Sequence, residues 1–176
     1  MTIYFITGNA GKFAEASAIL PNLRQLNIDL PEIQSLDPRK VIEAKLLAAF
    51  EHHEGPFIVE DVSLDLACLG GLPGPLIKWF IHVLEPKGIY ALAHKVGLYD
   101  ATSSVTYGYA KSRTEISYFS ASTKGTIVSP QGNNGFGFDP IFMPKGFSVT
   151  QAEMSLQDKN RISARRIALE QLKTTL

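Results

Sequence analysis

The chain has 176 residues, a length that suits one domain, or one domain with a smaller lobe, and that can bury a sizeable core. Its 17 basic and 17 acidic residues give a formal net charge of zero, which argues against a large basic surface for duplex nucleic acid but leaves a small anionic ligand open. The sequence has one cysteine, no export signal and no run of the ~20 apolar residues that a membrane span needs, so we expect a cytoplasmic protein with no nucleic-acid or membrane partner.

The turn after the first predicted strand is a candidate phosphate site. We predict a buried strand over residues 3–6, a turn over residues 7–12 and a helix through about residue 20. Free backbone N–H groups at a helix start can bind phosphate, and Lys12 would add a positive charge. The turn is not a Walker A loop, because that motif needs four residues between its glycines and a Ser or Thr after the lysine. A plain strand-to-helix turn is the alternative.

Two adjacent carboxylates follow the next strongly apolar segment. A strand over residues 26–30 and a helix between a cap at residue 37 and a stop at residue 55 precede it. Residues 57–61 then combine three apolar side chains with Glu60 and Asp61, which predicts a buried strand whose carboxyl end carries a site. Neighbouring carboxylates near a core need a cation or hydrogen-bond donors, so a divalent metal is one explanation. An ordinary strand end that emerges into water is the other.

The remaining elements are predicted from hydrophobic period and turn residues. We predict further strands over residues 64–69, 103–110, 116–123 and 125–128. We predict further helices over residues 75–84, about 89–95 and 158–172. A glycine-rich loop over residues 132–140 carries two aromatic side chains and a carboxylate.

Several of these segments together resemble a known family. The segments are residues 7–12, 60–61, 69–80, 135–140 and 159–165. In this order they resemble the inosine triphosphate pyrophosphatases, which hydrolyse non-canonical purine nucleoside triphosphates such as ITP, dITP and XTP to the monophosphate and pyrophosphate. The resemblance covers nearly the whole chain. It implies one domain over residues 1–176, an α/β fold with a long curved mixed sheet, helices in two lobes with a cleft between them, and usually a homodimer.

The same resemblance implies three groups of site residues. The triphosphate is expected at polar and basic side chains, namely Thr7, Asn9, Lys12, Lys45 and Lys78. The cofactor Mg²⁺, with Mn²⁺ as a substitute, is expected at three carboxylates, namely Glu32, Glu60 and Asp61. The base and the closure over it are expected from Phe136, Phe138, Asp139, Lys159 and Arg165. Asp61 would activate water, while Glu60, Lys12 and the metal would complete the catalytic group, because cleavage concentrates negative charge on the leaving pyrophosphate.

The sequence departs from the family pattern at one position. The usual Ser-His-Arg of the family is Ser163-Ala164-Arg165 here, so a histidine expected at the 6-oxo group of the base is absent. One hydrogen bond in a closed pocket is worth about 1–3 kcal/mol, so we expect weaker base discrimination. Two alternatives stay open, a nucleotide-binding protein with reduced or lost turnover and a related pyrophosphatase with a shifted base preference. The intact Lys12, Glu60 and Asp61 favour catalysis.

Overall fold

The computed structural model describes residues 2–176, which form a mixed α/β fold of seven strands and five α-helices. The strands are β1 (Ile3–Ile6), β2 (Leu23–Leu26), β3 (Phe57–Leu66), β4 (Pro73–Gly74), β5 (Asp100–Ser112), β6 (Glu115–Ile127) and β7 (Phe142–Pro144). The helices are α1 (Ala10–Ser17), α2 (Pro38–Ala49), α3 (Ile77–Val96), α4 (Leu156–Ile162) and α5 (Ala164–Lys173).

The strands form one mixed sheet. Their order is β2-β1-β3-β5-β6-β7, and β4 pairs with β3 beside this path. Strand β1 runs parallel to both β2 and β3, whereas β4 is antiparallel to β3 and β7 is antiparallel to β6. The predicted α/β class with a mixed sheet is therefore confirmed.

The chain divides into two compact units that are discontinuous in sequence. The first comprises residues 1–61, 105–121 and 165–176, and the second comprises residues 62–104 and 122–164. One face of α2 packs on β3 in the core of the first unit, through Ile42, Leu46, Ala49, Phe57 and Val59. The core of the second unit contains the ends of β3 and β6, α3 and the segment around β7, through Leu64, Leu66, Ile77, Ile89, Ile127, Ile141 and Phe142.

The predicted end of the third strand is wrong. We expected a strand that stops at Asp61 and a separate strand over residues 64–69, but β3 is continuous from Phe57 to Leu66. Glu60 and Asp61 therefore lie in the middle of a strand and not at its carboxyl end. Both are buried, at 8% and 6% exposure. A charged side chain can be buried in a strand only when opposite charges or hydrogen-bond donors compensate it.

Several other boundaries also differ from the predictions. Strand β2 lies at residues 23–26 and not 26–30, α1 ends at Ser17, and α2 ends at Ala49. Gly55 does not stop α2; a Cβ there would lie 2.8 Å from the Phe57 ring, so packing requires the glycine. Strands predicted over 116–123 and 125–128 are the single strand β6, in which Gly125 lets the backbone pass close to Met143. Strands β4 and β7 were not predicted.

The helical predictions near residues 75–95 and 158–172 are right in type and differ in segmentation. Two helices predicted in the first region form α3, which is interrupted at Glu85, where φ is 56°, just before Pro86. The single helix predicted in the second region is α4 and α5, separated by Ser163 in an extended conformation. Within residues 2–176, no helix is both long and apolar enough to cross a membrane.

Candidate active site

The predicted turn at the start of α1 is confirmed, and its side chains hold the loop. The Asn9 side chain caps the helix, because its Oδ1 accepts a hydrogen bond of 3.0 Å from the backbone N–H of Lys12. Thr7 Oγ1 accepts from the backbone N–H of Asn9 at 3.1 Å, and the Thr7 carbonyl accepts from Gln25 Nε2 at 2.8 Å. This arrangement brings the Lys12 side chain toward β3. Phosphate binding at the turn stays a prediction.

Glu60 is the centre of a buried ionic cluster in the first unit. Lys12 Nζ lies 2.9 Å from Glu60 Oε1. Arg165, at the start of α5, donates from Nε to Oε2 at 2.8 Å and from Nη2 to Oε1 at 3.2 Å. The Tyr107 hydroxyl of β5 also donates to Oε2. The strand thus tolerates Glu60 because two cations and a phenol compensate its charge.

Glu60 and Arg165 stabilise each other in their charged forms. Burial raises the pKa of Glu60, but the charges of Lys12 and Arg165 and the hydrogen bonds from Arg165 and Tyr107 outweigh it and hold that pKa well below its ordinary value. Burial lowers the pKa of Arg165, but Glu60 more than offsets this and raises it. Burial and the charge of Glu60 raise the pKa of Tyr107, so its hydroxyl remains a donor.

Two members of this cluster were not predicted, Glu15 and Tyr107. Glu15 forms an ion pair with Arg165, and the side chains are 12% and 8% exposed. The spacing of Glu15, three residues after Lys12 on one helix, places both on neighbouring turns and could have suggested a shared face. Tyr107 belongs to an alternating apolar strand, and no sequence signal distinguishes it from a core residue. Arg165 was predicted at the base and contacts Glu60 and Glu15 here.

Asp61 contrasts with Glu60, because one of its oxygens is buried without a partner. Among residues 2–176, Asp61 Oδ2 is a buried side-chain atom with no hydrogen bond. Burial raises the pKa of Asp61 to about 7; the charges of Lys45 and Lys12 oppose this rise, and those of Glu32 and Glu60 add to it. A carboxylate that exchanges its proton near neutral pH is suited to accept one from water.

The raised pKa predicts a stability that depends on pH. The pKa of Asp61 is about 7 in the folded state and ordinarily 3.8. Relative to the ionised form, the protonated carboxyl therefore adds to the free energy of unfolding below about pH 4, and this contribution is lost as the pH rises toward 7. We expect Asp61→Asn to exceed the wild type in free energy of unfolding by about 4 kcal/mol near pH 8, at about 1.4 kcal/mol per pKa unit. Near pH 4 the two should be equal. Urea unfolding in EDTA at several pH values measures this, and a difference independent of pH would contradict it.

Glu32 and Lys45 form a neighbouring pair. Lys45 Nζ on α2 lies 3.0 Å from Glu32 Oε1. Both charges influence Asp61, which places the pair in the same electrostatic environment as Asp61. Across residues 2–176 no three His, Cys, Asp or Glu side chains are grouped closely enough to hold a metal ion as they stand. The unpartnered Asp61 oxygen nevertheless fits a cation, whereas Glu60 and Glu32 are paired with Lys12 and Lys45.

A second cluster lies in the glycine-rich loop and α4 of the second unit. Lys159 Nζ contacts Asp139 Oδ2 at 2.7 Å and lies 5.1 Å from the centre of the Phe136 ring. The same Asp139 oxygen accepts from the backbone N–H of Phe136 at 2.8 Å. Gly135, with φ of 83°, permits this turn, because a Cβ there would lie 2.1 Å from Asp139 Oδ2. The structure thus brings three of the predicted base-site residues together.

Three further positions in the second unit have other surroundings. Phe138 is 7% exposed and packs edge-on against Phe142 at 6.1 Å, so its ring belongs to the core of that unit. The Lys78 ammonium on α3 lies 5.3 Å from the Trp79 ring centre. Ala164 is buried at 5% exposure, at the first position of α5. The ligand-binding roles of Phe138 and Lys78 stay predictions.

These features define a class of protein and, by comparison, a family. A mixed α/β fold with buried carboxylates next to lysines and a helix start is typical of enzymes that act on phosphate compounds. The fold is similar to that of the HAM1 protein from Coxiella burnetii, with a TM-score of 0.84 at 25% identity over 99% of this chain and 98% of that one. The chain belongs to the Ham1 family, whose profile it matches over residues 3–175.

Two other proteins show the same similarity. The chain is 37% identical over 179 aligned positions to an inosine triphosphate pyrophosphatase of Schizosaccharomyces pombe, and the alignment covers 99% of this chain and 95% of that protein. The Staphylococcus aureus Ham1 protein has the same fold, with a TM-score of 0.79 at 24% identity over 99% of this chain and 97% of that one. The resemblance stated from the sequence is therefore confirmed.

Proposed function

We propose that this protein is a nucleoside triphosphate pyrophosphatase that hydrolyses non-canonical purine nucleoside triphosphates, such as ITP, dITP and XTP, to the monophosphate and pyrophosphate. It would thereby remove them from the nucleotide pool. The observation that carries the proposal is Asp61, a buried carboxylate with an unpartnered oxygen and a pKa of about 7 under the influence of two lysines. The similar fission yeast protein, an inosine triphosphate pyrophosphatase, supports the same activity.

The residues of the first unit suit the cleavage of a phosphoanhydride bond. Asp61 would accept a proton from the attacking water, and the bond between the α- and β-phosphates would break with pyrophosphate as the leaving group. Lys12 and Lys45 would stabilise the negative charge that develops on this group. Thr7 and Asn9 would keep the helix start in place at the triphosphate.

We propose Mg²⁺, with Mn²⁺ as a substitute, as the cofactor. Asp61 would hold it through the unpartnered oxygen, together with Glu32 and Glu60. The ion would neutralise charge on the triphosphate and the leaving pyrophosphate. Wild-type protein and Asp61→Asn, compared near pH 8, test this without any activity measurement: Mg²⁺ should raise the melting temperature of the wild type alone. An equal rise in both proteins would exclude Asp61 as a ligand.

We propose that Phe136, Asp139 and Lys159 contact the base, since the structure brings them together in one cluster. We expect only a modest preference for 6-oxopurines over ATP, because the side chain of Ala164 offers no hydrogen-bond donor where the family usually has a histidine. Pyrophosphate release from ITP, dITP, XTP, GTP and ATP with Mg²⁺ tests the function. Release from ITP, dITP or XTP at a higher kcat/KM than from ATP is expected. Release from none of them would favour the alternative function, a nucleotide-binding protein without turnover. A higher kcat/KM for ATP would contradict the proposed substrate class.

Lys12→Ala should weaken the binding of triphosphates far more than the binding of the monophosphate product. The Lys12 side chain is 23% exposed and lies beside the helix start, where it can reach the β- and γ-phosphates that IMP lacks. We expect the KM for ITP to rise by about tenfold or more, and the inhibition constant of IMP to change by less than about twofold. Lys40→Ala, an exposed lysine on α2, is the matched control. Equal weakening of ITP and IMP would place Lys12 away from the β- and γ-phosphates.

We also propose a homodimer that works in the cytoplasm. Helix α3 exposes Trp79 at 45% and Val83 at 74%, and side chains four residues apart share a helix face. Exposed apolar side chains on one face are typical of an interface. The single cysteine, Cys68, is compatible with a reducing compartment. Light scattering of the wild type and Val83→Glu measures the assembly, and a monomeric wild type would contradict it.

A further inference from the structure

We infer that Tyr107 is a positioning residue for Lys12: its hydroxyl keeps Glu60 hydrogen-bonded when Lys12 leaves that carboxylate for a phosphate group. This inference rests on the proposed function only in that Lys12 is taken to bind the triphosphate. Tyr107 was not among the residues predicted from the sequence. Its side chain is fully buried, at 0% exposure, and its hydroxyl donates to Glu60, so it acts on Lys12 through that carboxylate.

The hydrogen-bond donors divide between the two oxygens of Glu60. Oε1 contacts Lys12 and Arg165 Nη2, and Oε2 contacts Arg165 Nε and the Tyr107 hydroxyl. When Lys12 departs, Arg165 still donates to both oxygens and Tyr107 still donates to Oε2. A buried carboxylate that keeps three hydrogen bonds avoids most of the cost of losing a donor.

Lys12 is the member of the cluster that can move. Its side chain is 23% exposed, whereas that of Arg165 is 8% exposed and that of Glu60 is 1% exposed. Arg165 is also held by Glu15, so its guanidinium is fixed from a second side. Lys12 therefore exchanges Glu60 for a ligand phosphate while the other contacts remain.

Without the phenol this exchange becomes more costly. In Tyr107→Phe, a departing Lys12 would leave Arg165 as the remaining donor to Glu60 among residues 2–176. The carboxylate would then bind Lys12 more firmly and compete with phosphate for it. The phenol thus supports triphosphate binding from a position that never contacts the triphosphate.

Calorimetry with sodium tripolyphosphate in EDTA tests the inference without turnover. We expect Tyr107→Phe to bind tripolyphosphate about tenfold more weakly than the wild type. In the Lys12→Ala background, adding Tyr107→Phe should change the affinity by less than about twofold, because the competing lysine is gone. Tyr109→Phe, which removes a hydroxyl two residues along the same strand, is the matched control and should bind like the wild type.

Kinetics separate positioning from a purely structural role. With ITP, Tyr107→Phe should raise KM by about tenfold and change kcat by less than about twofold, whereas a loss of folded protein would lower kcat and leave KM unchanged. If Tyr107→Phe does not fold, Tyr107→His, whose ring can still donate a hydrogen bond, should fold and bind tripolyphosphate within about threefold of the wild type. Binding about tenfold weaker than that of the wild type by a folded Tyr107→His would overturn the inference.

The outcomes for this inference and for the proposed function are distinct. A wild type that binds tripolyphosphate but releases pyrophosphate from no nucleotide would refute the proposed function, while weaker binding by Tyr107→Phe would still support the inference. Unchanged tripolyphosphate binding in Tyr107→Phe would overturn it. A wild type without tripolyphosphate binding would overturn it as well, because Lys12 would then have no phosphate to engage.

Discussion

Asp61→Asn should lower the turnover of ITP by about 10²–10⁴-fold, the usual contribution of a positioned general base. Asparagine has nearly the shape of aspartate but cannot accept the proton of the attacking water. The substitution also leaves the ion pairs of Glu60 unchanged, so nucleotide binding should remain measurable. Initial rates of pyrophosphate release, together with ITP binding measured in EDTA, give both quantities on the same preparation.

A carboxylate on the same strand provides the control for Asp61. Asp65 lies four residues further along β3 and has no part in the proposed chemistry. Asp65→Asn should retain turnover within about twofold of the wild type. Full turnover in Asp61→Asn would remove Asp61 from the mechanism. Equal losses in both variants would indicate a general disturbance of the strand.

Arg165→Ala should lower the free energy of unfolding by about 3–5 kcal/mol, as expected when one partner of a buried ionic group is removed. The guanidinium compensates Glu60 and Glu15 together, and the substitution would leave both carboxylates buried with less positive charge around them. Urea unfolding at pH 7 measures the change. Arg165→Lys should recover only part of it, because an ammonium cannot donate to both carboxylates in the same planar geometry.

The neighbouring arginine gives the control for this effect. Arg166 pairs with Glu170 on the surface of α5, and both side chains are 46% exposed. Arg166→Ala should therefore change the free energy of unfolding by no more than about 0.5 kcal/mol. Similar losses for Arg165→Ala and Arg166→Ala would show that the buried pairs are not what stabilises this region.

Local patterns predicted the type of most elements. The apolar runs before Thr7 and Glu60 are strands, and the helix after Asp37 begins at its predicted cap. The prediction was wrong where side chains distant in sequence compensate a residue that would otherwise end an element. Adjacent carboxylates normally end a strand, and β3 continues because Lys12, Arg165 and Tyr107 satisfy Glu60. Those three residues are far from Glu60 in sequence, so no local window contains them.

The parts of the site that could be predicted are those that a local sequence pattern contains. Asn9 and Lys12 lie at a helix start, as their spacing after the first strand predicts, and their roles in binding stay predictions. Glu15 and Tyr107, which contact Arg165 and Glu60, were missed, because such contacts depend on tertiary distance. Glu15 and Arg165 are a pair only after α1 and α5 meet in the first unit.

The position of Arg165 in the sequence also has a consequence for biosynthesis. It pairs with Glu60, which lies 105 residues earlier, and with Glu15, which lies 150 residues earlier. At ~5–20 residues per second, a ribosome makes Glu60 roughly 5–20 s before Arg165. For that interval the nascent chain carries two carboxylates whose guanidinium does not yet exist. The first unit therefore reaches its final charge pairing only after Arg165 has been made, although most of its residues are made earlier.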